Sequence, residues 1–181
     1  MSRPDDIVTQ RLVLRLMGQE AVAAVLAGDV AAAEALLGAG IPAELLERKR
    51  GLEYGMIRFE EDPLYAPWGP RAILLGGAMI GHVRFHTRPD PEDLHAYARN
   101  AVEFGYTVFA AHRGQGYATE AAAAVMGWAR EAEGVGNFVL TISPDNAPSL
   151  ALAARLGFAR VGEQMDEEDG LELVFLRSAG V

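Results

Sequence analysis

The chain has 181 residues, half of them hydrophobic and 23% charged, a size and balance that suit one globular domain spanning 1–181. It contains no cysteine, which excludes disulfides, thiolate metal sites and a cysteine acyl-enzyme. A net charge of −9 argues against a nucleic-acid partner and suits a cationic one, because an acidic surface concentrates amines and basic peptides.

No apolar run approaches the ~20 residues of a membrane span, and a start bearing Asp5 and Asp6 lacks a secretory layout. The expectation is a cytoplasmic protein with no membrane partner. Residues 7–16 read as a first strand, Leu12 and Leu14 facing one way and Arg11, Val13 and Arg15 the other. Residues 18–37 are rich in alanine and leucine and break at Gly28-Asp29, predicting two short helices with Asp29 capping the second. Pro42 suits the first turn of a further helix carrying Glu44, Leu45, Leu46, Arg48 and Leu52.

Residues 62–70 form a loop holding Tyr65 and Trp68, either a lid over the core edge or an aromatic lip of an acceptor pocket. Gly76-Gly77 between residues 71–75 and 78–87 predicts a hairpin, since two glycines permit the positive φ angles of a tight turn. His82 and His86 then share a strand face; with no third ligand at a sensible spacing, they read as a solvated or weakly hydrogen-bonded pair and not as a metal site. Residues 88–100, with His95 and Tyr97, are a polar loop entering the next strand.

That strand, 103–109, alternates Phe104, Tyr106 and Val108 with Glu103, Gly105 and Thr107. Gly105 inside it is the expected place for a bulge. The strand runs through Phe109 and Ala110-Ala111-His112 into Arg113-Gly114-Gln115-Gly116-Tyr117-Ala118-Thr119-Glu120, where an alanine-rich helix begins. Ala118, Ala121, Ala122, Val125, Ala129 and Ala132 form its apolar stripe, with Trp128 close by. Helix starts expose backbone N–H groups without intrahelical partners, and small residues let an anion approach them, so this junction either grips a diphosphate or is a glycine-rich helix entry with no ligand. It is no Walker loop, because Lys49 is the only lysine. Nor is it a dinucleotide fingerprint: Thr119 stands where the third glycine belongs, and Asp145 comes too late for the ribose carboxylate.

Further on, residues 138–142 predict a buried strand, and Ser143-Pro144-Asp145-Asn146 turns into a helix over 147–156 that Gly157 ends. Residues 158–164 and 171–177 make a last hairpin around Asp166-Glu167-Glu168-Asp169-Gly170, a turn either simply solvated or able to gather a cationic acceptor.

Arg113-x-x-Gly116-x-Ala118, preceded by Glu103-Phe104-Gly105-Tyr106 and followed by Thr119-Glu120-Ala121, resembles the acyl-CoA loop of the GNAT N-acetyltransferases. The likeness is nearest to the branch containing the ribosomal-protein N-terminal acetyltransferases. It extends to Thr9-Gln10-Arg11-Leu12-Val13-Leu14-Arg15, Asn146-x-x-Ser149 and Leu156-Gly157-Phe158, nearly the whole chain.

The resemblance implies an α/β fold, a mixed twisted sheet of about seven strands flanked by helices on both faces. It implies acetyl-CoA as co-substrate, no metal, and direct attack by a primary amine of a protein N-terminus or small molecule. The diphosphate falls to Arg113, Gly114, Gln115, Gly116, Tyr117, Ala118 and Thr119. The pantetheine arm falls to the strand edge at Tyr106, Thr107, Val108 and Phe109, which with Glu103 spans roughly 20 Å at ~3.3 Å per residue. Glu103, at the other end of the strand, is the candidate to hold the amine or to relay its proton through water, since a carboxylate of pKa ~4.3 is poorly matched to an amine of ~10. An ordinary sheet-edge glutamate is the alternative, and Glu167 or Glu168 is the rival base.

Asn146 serves as helix cap, as partner of the pantetheine amides, or both. Ser149 resembles the family serine beside the sulfur. Ala153 replaces the tyrosine that many relatives carry four residues before the Gly-Phe pair. Trp68, Glu167 and Glu168 are the candidate acceptor-site residues, and a monomer or a homodimer fits equally. A non-catalytic acyl-CoA-binding or regulatory module is the competing reading.

Overall fold

The computed structural model describes Arg3 and residues 5–178. Its first half carries β1 (Ile7–Val8), β2 (Leu12–Leu16), α1 (Gln19–Ala27), α2 (Val30–Leu37), α3 (Ala43–Glu47) and α4 (Arg50–Glu61). Then come β3 (Arg71–Leu75), β4 (Ala78–Phe85), β5 (Ala101–Val108) and α5 (Tyr117–Glu133). The chain ends with β6 (Asn137–Ile142), α6 (Ala147–Arg155), β7 (Ala159–Asp166) and β8 (Gly170–Ser178). The strands follow the order β1-β2-β3-β4-β5-β6-β8-β7. β5 and β6 are parallel, whereas β1–β2, β2–β3, β3–β4, β6–β8 and β7–β8 are antiparallel. The expected mixed α/β sheet is therefore present, with eight strands in place of about seven. Among the described residues no helix is long and apolar enough to cross a membrane.

Packing divides the chain into two units: residues up to Arg88 with Gly105–Val125, and Pro89–Phe104 with the residues from Met126 onward. β5 and α5 each run from one unit into the other. In the first unit Leu12, Leu14, Val25, Leu45, Leu52, Ile73 and Ile80 are buried. There the Gly105–Val108 part of β5 is the outermost strand. Gly81 brings β4 close to it, since a Cβ at Gly81 would stand 2.1 Å from the Thr107 carbonyl oxygen. In the second unit Leu94, Ala101, Val139 and Val174 form a core on which Tyr97 packs. The edge of the Tyr97 ring lies 3.0 Å from where a Gly162 Cβ would be, so the glycine leaves room for the aromatic.

Turn and cap chemistry account for most boundaries. Gly76 and Gly77 have φ of 57° and 89°, the positive angles their hairpin needs. Asp29 caps α2 through Ala32 N–H, and Gly157 follows α6 with φ 76°.

The departures are tertiary. Residues 7–16 make two strands and not one, because the Thr9 hydroxyl and backbone bond Leu12 and turn the chain. Arg15, on the face opposite Leu12 and Leu14, is buried as well and paired with Asp6 at 2.8 Å. The helix after Pro42 breaks at Arg48, whose φ and ψ are −120° and 57°, and resumes as α4. Gly51 and Gly55, one turn apart on α4, abut the His82 ring and Pro70, close contacts a larger side chain would prevent. Along α5 the buried stripe is Ala121, Ala122, Val125, Met126 and Ala129, while Ala132 is exposed. Gly105 is explained by space: the His86 imidazole Nε2 sits 3.0 Å from the position of a Cβ there.

The histidine pair is not solvated as expected. His86 is half-buried, but His82 is buried and its Nδ1 has no hydrogen-bond partner among the described residues. Burial, with the nearby Arg84 charge, lowers the His82 pKa from 6.5 to about 4. The unfolded chain takes up this proton first as pH falls, so the stability due to the neutral ring is complete above pH 6.5 and is lost toward pH 4. A shift of this size is worth about 3 kcal/mol. Urea unfolding at pH 7 and pH 4.5 should therefore show a drop in wild type about 2 kcal/mol larger than in His82→Gln. Equal drops would contradict a neutral buried ring.

Candidate active site

In the first unit, β5 leaves the sheet at Val108 and a short turn at Ala110–His112 leads to the loop before α5. Glu44 of α3 holds this turn, one carboxylate oxygen accepting from Ala110 N–H at 2.9 Å and the other lying 3.6 Å from Arg113 Nη2. Arg113 Nε donates to the Val108 carbonyl at 2.9 Å. Its guanidinium thus ties the end of β5 to the loop, and about half of the side chain stays exposed.

Gly114 and Gly116 both take positive φ, 74° and 81°, with one residue between. Such alternation turns successive N–H groups toward one side. The carbonyls are used internally: Gln115 oxygen accepts from Arg11 Nη1 at 3.0 Å, and Gly116 oxygen accepts from Glu120 N–H at 3.0 Å. Among the described residues no protein group accepts from the N–H groups of Gly114, Gln115, Gly116, Tyr117 or Ala118. Gly114, Gln115 and Gly116 are exposed, Ala118 and Thr119 half-buried, and the Tyr117 ring buried. The result is a cluster of unused donors at the positive end of a 17-residue helix, a place for an anion.

Beneath the loop lies a cluster the sequence did not reveal. Both carboxylate oxygens of Glu120 are taken: Oε1 by the Thr9 hydroxyl at 2.6 Å and Arg11 N–H at 3.0 Å, Oε2 by Arg11 Nε at 2.6 Å. Burial works to raise the Glu120 pKa, but the Thr9 and Arg11 bonds and the Arg11 charge outweigh it and hold the carboxyl below its ordinary value. The Arg11 guanidinium also covers the Tyr117 ring at 4.5 Å from its centroid.

In the second unit, Glu103 is half-buried on β5, and the Thr141 hydroxyl of β6 donates to its carboxylate at 2.5 Å. Thr141 pairs with Val174 on β8, so Glu172, two residues before Val174, shares that face. Gln164 of β7 bonds Glu172 at 3.3 Å. Burial raises the Glu172 pKa; the Gln164 bond opposes this, while the charges of Glu103, Asp166 and Asp169 add to it. The sheet thus presents two carboxylates, one of them biased toward holding a proton.

Ser149 is half-buried in the first turn of α6, where Asn146 Oδ1 caps its N–H at 3.2 Å. Ala153 is fully buried. Glu167 and Glu168 are exposed in the β7–β8 turn, far less enclosed than Glu172. Trp68 is not on a lip: it is buried with its ring edge-on to Phe85, 5.0 Å between centroids. Phe109 is buried too and gives its N–H to Ile80, whereas Tyr106 and Thr107 are half-exposed and Val108 is buried. Among the described residues no group of three histidines or carboxylates could hold a metal ion.

The acetyltransferase (GNAT) domain family matches residues 11–159. A search of curated proteins returned no match. Among solved structures, an acetyltransferase from Agrobacterium tumefaciens is 24% identical, with a TM-score of 0.63 over 99% of this chain and 96% of that one. The ribosomal L7/L12 α-N-protein acetyltransferase RimL, solved with coenzyme A, is 19% identical, with a TM-score of 0.64 over 96% and 97%. The microcin C7 self-immunity acetyltransferase MccE, solved with acetyl-CoA and AMP, is 17% identical, with a TM-score of 0.64 over 98% of each chain. At these identities the likeness is one of fold.

The loop geometry has a stability signature. Gly114→Ala and Gly116→Ala force an L residue into the left-handed region and should each cost about 1 kcal/mol in urea unfolding. Gly127→Ala, inside α5 with nothing within 4 Å of the added Cβ, should instead gain roughly 0.5 kcal/mol. The same sign at all three positions would contradict the left-handed loop.

Proposed function

Because the chain belongs to the GNAT acetyltransferase family, we propose that it moves an acetyl group from acetyl-CoA to a primary amine by direct attack, with a cationic amine as acceptor. The observation that carries this reading is the set of five amides from Gly114 to Ala118 left without protein acceptors at the start of α5. They fit a diphosphate in number and polarity, and the three from Gly114 to Gly116 belong to exposed residues. Acetyl-CoA supplies an activated acyl thioester; the chain supplies grip, alignment and proton handling.

Grip comes from the amides of residues 114–118 with Thr119 in the same first turn. Arg113 does less than its sequence position suggested, since Val108 and Glu44 already engage its guanidinium. Alignment belongs to the outer edge of β5, where Tyr106, Thr107 and Val108 give the pantetheine arm a strand to run beside. Phe109 serves by packing beneath it. Asn146 spends its carbonyl on the α6 cap, which leaves its amide NH2 as the donor for the arm. The Ser149 hydroxyl is the donor for the departing thiolate.

Proton handling falls to Glu103, at the far end of β5 from the loop. Glu103 holds the acceptor ammonium and, through water, receives its proton. Glu172 on the same face is a second carboxylate, and its raised pKa makes it the better proton store. Glu167 and Glu168 add negative charge outside the site, where screening limits them to attracting the acceptor. Trp68 acts through the core.

The test is acetyl-CoA consumption against a panel of amines and peptides, wild type beside Glu103→Gln. Loss of an ionisable proton acceptor should lower kcat on the order of 100-fold, with CoA affinity unchanged. Unaltered turnover in the variant would remove Glu103 from the mechanism, and no turnover by wild type on any amine would remove the transferase reading.

A further inference from the structure

Arg11 is used four times within one small region. Its backbone N–H and Nε bind the two oxygens of Glu120, Nη1 binds the Gln115 carbonyl, and the guanidinium plane covers Tyr117. Nη2 lies 3.5 Å from the position of a Cβ at Gly116. Glu120 is reached from 109 residues away in sequence, so the contact is a tertiary device and not a local cap.

Two consequences follow for the loop. A trans peptide holds its C=O and N–H in one plane, pointing in opposite directions. When Arg11 draws the Gln115 carbonyl inward, the Gly116 N–H is turned outward. Glu120 also needs a counter-charge: a carboxylate in the first turn suits the helix dipole but repels an arriving anion. Arg11 cancels that charge with a charge-assisted bond from Nε while Nη1 of the same planar fork holds the Gln115 carbonyl, a division that a lysine could not reproduce because an ammonium is a point charge.

We infer that Arg11, held by Glu120, is a positioning residue for the diphosphate of acetyl-CoA, setting the Gln115–Gly116 peptide with its N–H outward and neutralising the carboxylate beneath the loop. The inference rests on the proposed reading of the loop as the diphosphate site. Arg11 acts through the loop, and the anion is gripped by the amides.

Calorimetric titration of the full chain with CoA and with 3′-phosphoadenosine 5′-diphosphate, which keeps the diphosphate but lacks the arm, tests it. Arg11→Gln should weaken both ligands by the same factor, on the order of tenfold. Adding Glu120→Gln to Arg11→Gln should restore part of the loss, about threefold, because the uncompensated charge is gone. Arg11→Lys, which keeps the charge and loses the fork, should fall between, and it carries the test if Arg11→Gln does not fold. A purely structural role predicts no recovery in the double variant. Wild-type affinity in Arg11→Lys and Arg11→Gln, or weakening of CoA alone, would overturn the role of Arg11. If the wild-type chain binds neither ligand, the loop reading fails and this inference falls with it.

Discussion

Everything proposed for this chain depends on a few backbone amides that the protein leaves unused. Helix starts normally satisfy their free N–H groups with a side-chain cap or with water. Here the carbonyls of the loop are taken up by Arg11 and by α5, while the neighbouring N–H groups face out. Two left-handed glycines make that arrangement sterically possible. Unmade hydrogen bonds at a helix dipole's positive end are a standing affinity for anions, already oriented before a ligand arrives. The loop is held by other parts of its unit: Glu44 anchors the turn before it, and Thr9 and Arg11 brace Glu120 below it.

The carboxylates of the second unit pose the complementary problem. A cationic amine is attracted by negative charge, but attack on an acyl carbon requires it to give up a proton. In the proposed reading these tasks fall to Glu103 and Glu172. Thr141 hydrogen-bonds one; burial and neighbouring charge push the other toward its protonated form.

What could be read from the sequence was mainly local. Gly76-Gly77 and Gly157 announced their turns because positive φ restricts the residues that can stand there, and Asp29 and Asn146 announced their caps because short polar side chains reach the next turn. The strand before Arg113-x-x-Gly116-x-Ala118 and the helix after it could be read, and they make the loop a candidate for an anion. Long-range partners were invisible. Nothing in Thr9-Gln10-Arg11 names Glu120 as its partner, and nothing near Arg113 names Glu44. Glu172 alternates with leucines and reads as an outward strand position; Glu103 and Gln164 come beside it only in the fold. Trp68 misled for the opposite reason: an aromatic in a loop looked like recognition, yet it fills the core against Phe85. His82 reads as one of a solvated or weakly hydrogen-bonded pair, and the approach of Gly51 that helps enclose it is a tertiary contact.

The most direct test of the account watches the amides themselves. Amide proton–nitrogen correlation spectra of the chain, recorded through a titration with CoA, should show their largest movements at Gly114, Gln115, Gly116, Tyr117 and Ala118. Saturable binding that leaves those five signals in place and moves others would contradict it.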